Sequence, residues 1–384
     1  MTKALTSAFA VASIVAGCSS GAGDAGSASS EPASTPSSTD PAPETSTTAA
    51  PELAPAPTPR QLVGQKLVVA MDGTRPSESL LRRVRRGRLG GVILFSHNFG
   101  SAARLRAITT ALRRAAADGG QPRLLIAVDQ EGGPVKRIPW IPPRLSPPQL
   151  GELGSSETAR RQGRKTGAAL RDLGINTDLA PVADVPASAA SFMYQQGRTW
   201  SFSARRTARL ANAFAGGLGD RDALATLKHF PGLGYATRNT DSYVVRIVAT
   251  RRRLAPGLEP YRRAVADHVP LVMLSNAVYE AYDRRHAAGW SRAVGSGLLR
   301  DELGFEGVTI TDSLDGAARA RRVSTDRLAI RAAEAGTDLI LLTGSEAASR
   351  SVYRSLLDAA AEGGIRQGRL LASYQRIVAL KTEL

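Results

Sequence analysis

Four stretches of this sequence set ionisable side chains beside glycines or at the ends of apolar runs. Asp129 stands in RLLIAVDQEGGPVKR (123–137), Lys228 and His229 in ALATLKHFPGLG (223–234), Asp312 in LGFEGVTITDSLDGAA (303–318) and Arg198 in GRTWS (197–201). A carboxylate accepts hydrogen bonds or enters proton and nucleophile chemistry, lysine and arginine only donate, and imidazole does either. Asp129, with Gly132 and Gly133 close behind it, is suited to accept hydroxyl hydrogens while the glycines let the backbone come near a ligand. Lys228, His229 and Arg198 would supply donors to the same ligand. Each residue also has a plainer reading: an Asp after a strand often caps a helix or forms a turn, and a lysine is usually a solvated surface group.

The elements that must position these groups are legible from periodicity. Short β-rich apolar runs fall near 66–72, 90–96, 123–129, 176–184, 223–230, 270–277, 307–313 and 337–343, and Arg- and Ala-rich stretches of helical character follow them. That alternation marks parallel βαβ units. Eight of them predict an α/β fold, a closed (β/α)8 TIM-like barrel, although an open doubly wound sheet has the same local pattern. Several runs end in polar residues: Asp129, Asp184, Lys228 with His229, Asn276 and Asp312. A parallel barrel gathers those ends on one face, where its active sites lie.

At 384 residues, 42% hydrophobic and 22% charged, the chain can bury a large core in one domain. A net charge of +16 suits an anionic wall or membrane surface. Nucleic acid is not an expected partner, because the arginines are scattered and rarely interleaved with aromatics. The single cysteine, Cys18, excludes an intramolecular disulfide and a cysteine metal site. Residues 1–17 carry a lone Lys3 and a small apolar stretch ending Val15-Ala16-Gly17, which reads as a signal peptide. The order aliphatic, small, small, Cys resembles the bacterial lipobox, so Cys18 is the expected lipidation site. Residues 18–59, almost wholly Ala, Ser, Thr, Pro, Gly and acids, predict a disordered tether. Residues 60–384 then form the folded domain. The expected setting is outside the cytoplasm at a bacterial cell surface or envelope, as a monomer held to the membrane by its lipid alone. No metal or other cofactor is expected: Gly232-Leu233-Gly234 lacks the third glycine of a dinucleotide fingerprint and the spacing of a phosphate loop.

The blocks already quoted, with GGVILFSHN (90–98), INTDLAPVADV (175–185) and AGTDLILL (335–342), occur in an order and spacing that resembles one known family. From about Gln61 onward the chain is similar to the N-terminal barrel domain of family-3 glycoside hydrolases, especially the single-domain bacterial β-N-acetylhexosaminidases. The resemblance implies retaining hydrolysis of N-acetylglucosamine glycosides derived from cell wall. It places Asp312 on the family's nucleophile and Asp129, Arg198, Lys228 and His229 on its sugar contacts. Asp315 falls on a non-catalytic position and is expected to face helix-start amides.

One departure matters. The hexosaminidase branch carries Asp-Ser-His after its Lys-His-Phe-Pro-Gly segment, with that His as acid/base; here Asp241-Ser242 precede Tyr243, and Leu233 replaces the usual His of the Pro-Gly-His-Gly turn. General acid/base help is worth about 100- to 10,000-fold in rate, and a tyrosine of pKa ~10 suits neutral pH less well than imidazole. Three readings follow: an active hexosaminidase whose proton comes from Asp241, Tyr243 or another loop residue, a family-3 glycosidase of other sugar preference, or a silent sugar-binding lipoprotein. A structural wall-binding protein relying on charge is a fourth.

Overall fold

The computed structural model describes residues 56–384. The signal peptide expected over 1–17, the lipidation of Cys18 and the tether up to residue 55 lie outside the described residues. The helix Pro59–Gly64 opens the domain, with Thr58 and Gln61 forming a capping box.

Eight parallel strands follow: β1 (Leu67–Ala70), β2 (Gly91–Ile93), β3 (Leu125–Val128), β4 (Thr177–Asp178), β5 (Leu224–Phe230), β6 (Leu271–Leu274), β7 (Val308–Thr311) and β8 (Ile340–Leu342). Their order in the sheet is β7-β6-β5-β4-β3-β2-β1-β8. A parallel bridge between Ile310 and Leu339 joins the two ends, so the sheet closes into the expected barrel. Alternation along each strand divides the core in two. Val68, Ala70, Ile93, Leu125, Ala127, Met273, Ile310 and Leu341 belong to one buried cluster inside the ring. Leu67, Val69, Val92, Ile126, Val128, Val272 and Leu342 pack outward under the helices. With both faces buried, the strands read as unbroken apolar runs.

All eight strands lie where the apolar runs predict them, with shorter bounds. The largest difference is at 176–184, where only Thr177 and Asp178 form regular strand and Val182 makes an isolated bridge to Lys228. Pro181 interrupts the ladder because it has no N–H to donate.

The β7–β8 seam has little regular strand pairing, and side chains strengthen it. The buried Asp338 carboxylate accepts the Thr309 N–H at 2.9 Å and the Arg300 guanidinium at 2.6 Å on one oxygen. Its other oxygen takes Arg376 at 2.7 Å and the Ser373 hydroxyl at 3.0 Å. Lys66, at the start of β1, reaches Ser373 and the Thr337 carbonyl, each at 2.7 Å. Burial alone would raise the Asp338 pKa, but Arg300, Arg376 and Lys66 outweigh it and hold the carboxyl below its usual range. Its stabilisation is therefore present above the unfolded-state pKa and is lost as pH falls through the folded one. Asp338→Ala takes the shared carboxylate from the partly buried Arg300 and Arg376 and from the neighbourhood of buried Lys66, and urea denaturation is expected to show a loss of about 3–5 kcal/mol; a loss indistinguishable from zero would remove Asp338 from the seam.

Candidate active site

At the C-terminal ends of the strands lies a cavity of about 260 Å3 lined by Asp129, Arg198, Lys228, His229, Asp241 and Asp312, among others. Six of the seven residues singled out for binding or catalysis thus meet around one space. Tyr243 does not line it. Its ring is 45% exposed, with the Arg238 guanidinium 4.1 Å from the ring centroid.

Asp129 follows directly on β3, and the chain then turns through a small antiparallel hairpin, Gln130–Gly132 against Val135–Lys136. Gly132 and Gly133 have φ of 91° and 62°, a conformation that side chains with a Cβ rarely adopt. The turn carries Glu131 into the same corner as Asp129. Lys228, buried on β5, donates to Asp129 Oδ1 at 2.8 Å and lies 2.6 Å from Glu131 Oε1. Arg198 grips Glu131 through both oxygens, at 2.8 and 2.7 Å, and Arg137 approaches Asp129 Oδ2 at 3.6 Å. Burial would push the Glu131 carboxyl up, but Lys228 and Arg198 together bring it down to about 2. Burial likewise disfavours the Lys228 ammonium, and Asp129 and Glu131 reverse this, so its pKa rises. The four groups fix one another by these contacts, an arrangement of oriented donors and acceptors of the kind that hydroxyl groups can meet.

Glu131 carries no assigned role in the sequence reading. Its separation of two residues from Asp129 is the one signal that could have marked it. Asp184, noted only as a strand-end residue, is fully buried and takes His229 Nδ1 at 2.8 Å and the Leu233 N–H at 2.7 Å. The imidazole is thereby held by its Nδ1 edge, and the residue lines the cavity.

Asp312 sits one residue beyond β7, its N–H on the Leu274 carbonyl at 2.9 Å and its Oδ1 accepting from the Ser313 N–H at 2.8 Å. Asn276, another strand-end residue, donates to the Ser313 carbonyl at 2.8 Å and steadies that turn. Asp315, expected at helix-start amides, instead accepts the Thr343 N–H at 2.7 Å, one residue past β8. It lies in the first turn of the helix Leu314–Arg321, but its carboxylate reaches across to the neighbouring strand end.

Asp241 closes the cavity from the loop above. Its N–H is held by the Asn239 side chain at 2.9 Å, and its Oδ1 is buried without a protein hydrogen-bond partner. Burial, then the charge of Asp312, raises its carboxyl to about 7. The loop comes this close because residue 316 is glycine: a Cβ there would stand 2.7 Å from the Asp241 Cβ. The cavity therefore holds two neighbouring carboxyl groups in different environments, one suited to keep its proton near neutrality. Among the described residues, no cluster of three or more His, Cys, Asp or Glu side chains is disposed to hold a metal ion.

Comparison with known proteins agrees with this geometry. Residues 60–380 match the family description "Glycosyl hydrolase family 3 N terminal domain". An uncharacterized secreted glycosyl hydrolase of Arthroderma benhamiae is 32% identical over 328 residues, covering 84% of this chain and 92% of that protein. A beta-hexosaminidase of Alkalilimnicola ehrlichii is 33% identical over 300 residues, covering 76% and 84% respectively. The structure of a family-3 beta-N-acetylglucosaminidase from Paenibacillus superposes with a TM-score of 0.81 at 31% identity over 85% of this chain; the match spans 63% of that longer chain. By the extent of the matched domain and the identity shared along it, this chain belongs to glycosyl hydrolase family 3.

Proposed function

We propose that this protein hydrolyses β-linked N-acetylhexosaminides with retention of configuration, using Asp312 as nucleophile and Asp241 as acid/base. The observation that carries this reading is the raised Asp241 carboxyl beside Asp312 in a cavity that also presents the Asp129–Lys228–Glu131–Arg198 cluster. The similarity to a beta-hexosaminidase and a beta-N-acetylglucosaminidase supports the choice of sugar. Asp312 attacks the anomeric carbon to form a glycosyl ester while protonated Asp241 gives its proton to the departing oxygen; ionised Asp241 then takes a proton from the water that cleaves the ester. Asp129, Lys228, Arg198 and His229 hold the sugar hydroxyls. The proposed setting is outside the cytoplasm, at a bacterial cell surface or envelope, with the chain anchored through Cys18 and acting on wall-derived glycans.

Nitrophenyl N-acetyl-β-glucosaminide is the direct substrate, and Asp312→Ala is expected to abolish its turnover. A fully active Asp312→Ala enzyme would end the nucleophile assignment. Asp241→Asn is expected to cost about 100- to 10,000-fold with a poor leaving group and far less with a dinitrophenyl glycoside, whose departure needs no proton. Equal losses on both substrates would remove Asp241 as the acid.

The raised pKa sets the sign of the pH dependence. Asp241 is the competent acid while protonated, so kcat/KM should fall as pH rises through about 7. That alkaline limb should vanish in Asp241→Asn. A limb that persists would assign the proton to another group, with His229 on Asp184 the next candidate. Binding of N-acetylglucosamine without cleavage of either substrate would return the protein to a sugar-binding role.

A further inference from the structure

The loop between β4 and β5 has two sides. Phe192, Met193 and Arg198 line the active-site cavity, whereas Tyr194 and Phe202 point outward, 44% and 50% exposed. Their ring centroids lie 4.8 Å apart. Two touching aromatic rings left half in water form an apolar surface that gains free energy when covered. Phe202 also borders a groove of about 210 Å3, together with Tyr235, Arg253 and Gly232, Gly234 and Gly257. The groove and the cavity are two sides of one strip. Leu233 lines the cavity, while its neighbours Gly232 and Gly234 line the groove. Hydrogen bonds from Ala187 N–H to the Gly234 carbonyl at 3.0 Å and from Phe192 N–H to the Ala236 carbonyl at 2.7 Å fasten the loop to that turn.

The groove also offers a donor. The Arg253 guanidinium lies 5.9 Å from the Tyr235 ring centroid, and it enters no ion pair among the described residues, unlike nearby Arg251 and Arg262. A flat aromatic face beside a single free donor matches a pyranose, whose C–H face stacks on a ring while its hydroxyl rim takes hydrogen bonds. We infer that Tyr194, Phe202 and the adjoining groove form an accessory subsite for a further sugar unit of a β-linked glycan whose terminal unit occupies the active-site cavity. This rests on the glycoside-hydrolase reading above, and the subsite selects longer chains over single sugars. An anionic polymer suits it less well, since among the described residues that line the groove Arg253 alone is charged.

The test uses the full chain and two substrates, an oligomer of four β-linked N-acetylglucosamine units and the nitrophenyl monosaccharide. In the Tyr194→Ala/Phe202→Ala variant, KM for the oligomer should rise roughly 2- to 10-fold, the scale of an aromatic contact. Both kcat values and KM for the nitrophenyl sugar should stay as in the parent. Tyr194→Phe, which keeps the ring, should retain the oligomer KM. An unchanged oligomer KM, or an equal rise for both substrates, overturns the subsite. Binding to anionic lipid vesicles that is lost in the double variant, with the oligomer KM unmoved, would make the pair a membrane contact instead. If the parent cleaves neither substrate, the hydrolase reading fails; oligomer affinity by calorimetry, parent against double variant, still decides the subsite.

Discussion

Ring closure is the constraint on which the other features depend. Parallel strands deliver every C-terminal end to one mouth only if the first and last strands of the sheet meet, and here they meet at a seam with few regular bonds. Asp338 secures one end of the seam by drawing the β7 amide of Thr309, Arg300 and Arg376 to a single carboxylate. At the other end Asp315 takes the Thr343 amide, and the Ser313 and Thr343 hydroxyls lie 2.6 Å apart. Asp312 stands between these two fastenings. Its position is therefore a property of the closed ring and not of β7 alone.

The mouth is organised by contrast between charges that are matched and one that is not. Glu131 and Lys228 sit so close to Arg198 and Asp129 that the cost of their burial is outweighed by their partners. Asp241 has the same burial problem without such a partner, and the neighbouring Asp312 adds to it. One set of residues is thereby held in mutual ion pairs, and the Asp241 carboxyl is left with its affinity for a proton raised. Under the proposed mechanism, the loop's proton chemistry falls to the acid two residues before Tyr243.

Much of this was readable from residue order. Apolar runs at regular intervals implied the strands, and polar residues at their ends implied the mouth, because strand period and barrel topology are local rules applied eight times. What escaped was tertiary. Glu131 lies inside a quoted motif, but its value depends on Lys228 and Arg198, 97 and 67 residues away in the chain. Tyr243 occupies the place of a proton donor in the sequence, yet the loop turns its ring out beneath Arg238. Asp315 reads as a helix-start residue, and only the neighbouring strand end explains its partner. The shortening of β4 at Pro181 is the one departure that the residue type itself foretells.

Gly316 has a consequence beyond local packing. The Asp241 loop rests on the bare Cα of residue 316, in the first turn of the helix Leu314–Arg321 and four positions after Asp312, so loop and helix are held apart by no more than a hydrogen atom. A side chain as small as a methyl at this point would act as a shim, prising the loop outward from the helix Leu314–Arg321. The height of the loop over the cavity is thus set, in this fold, by a carbon that residue 316 does not carry.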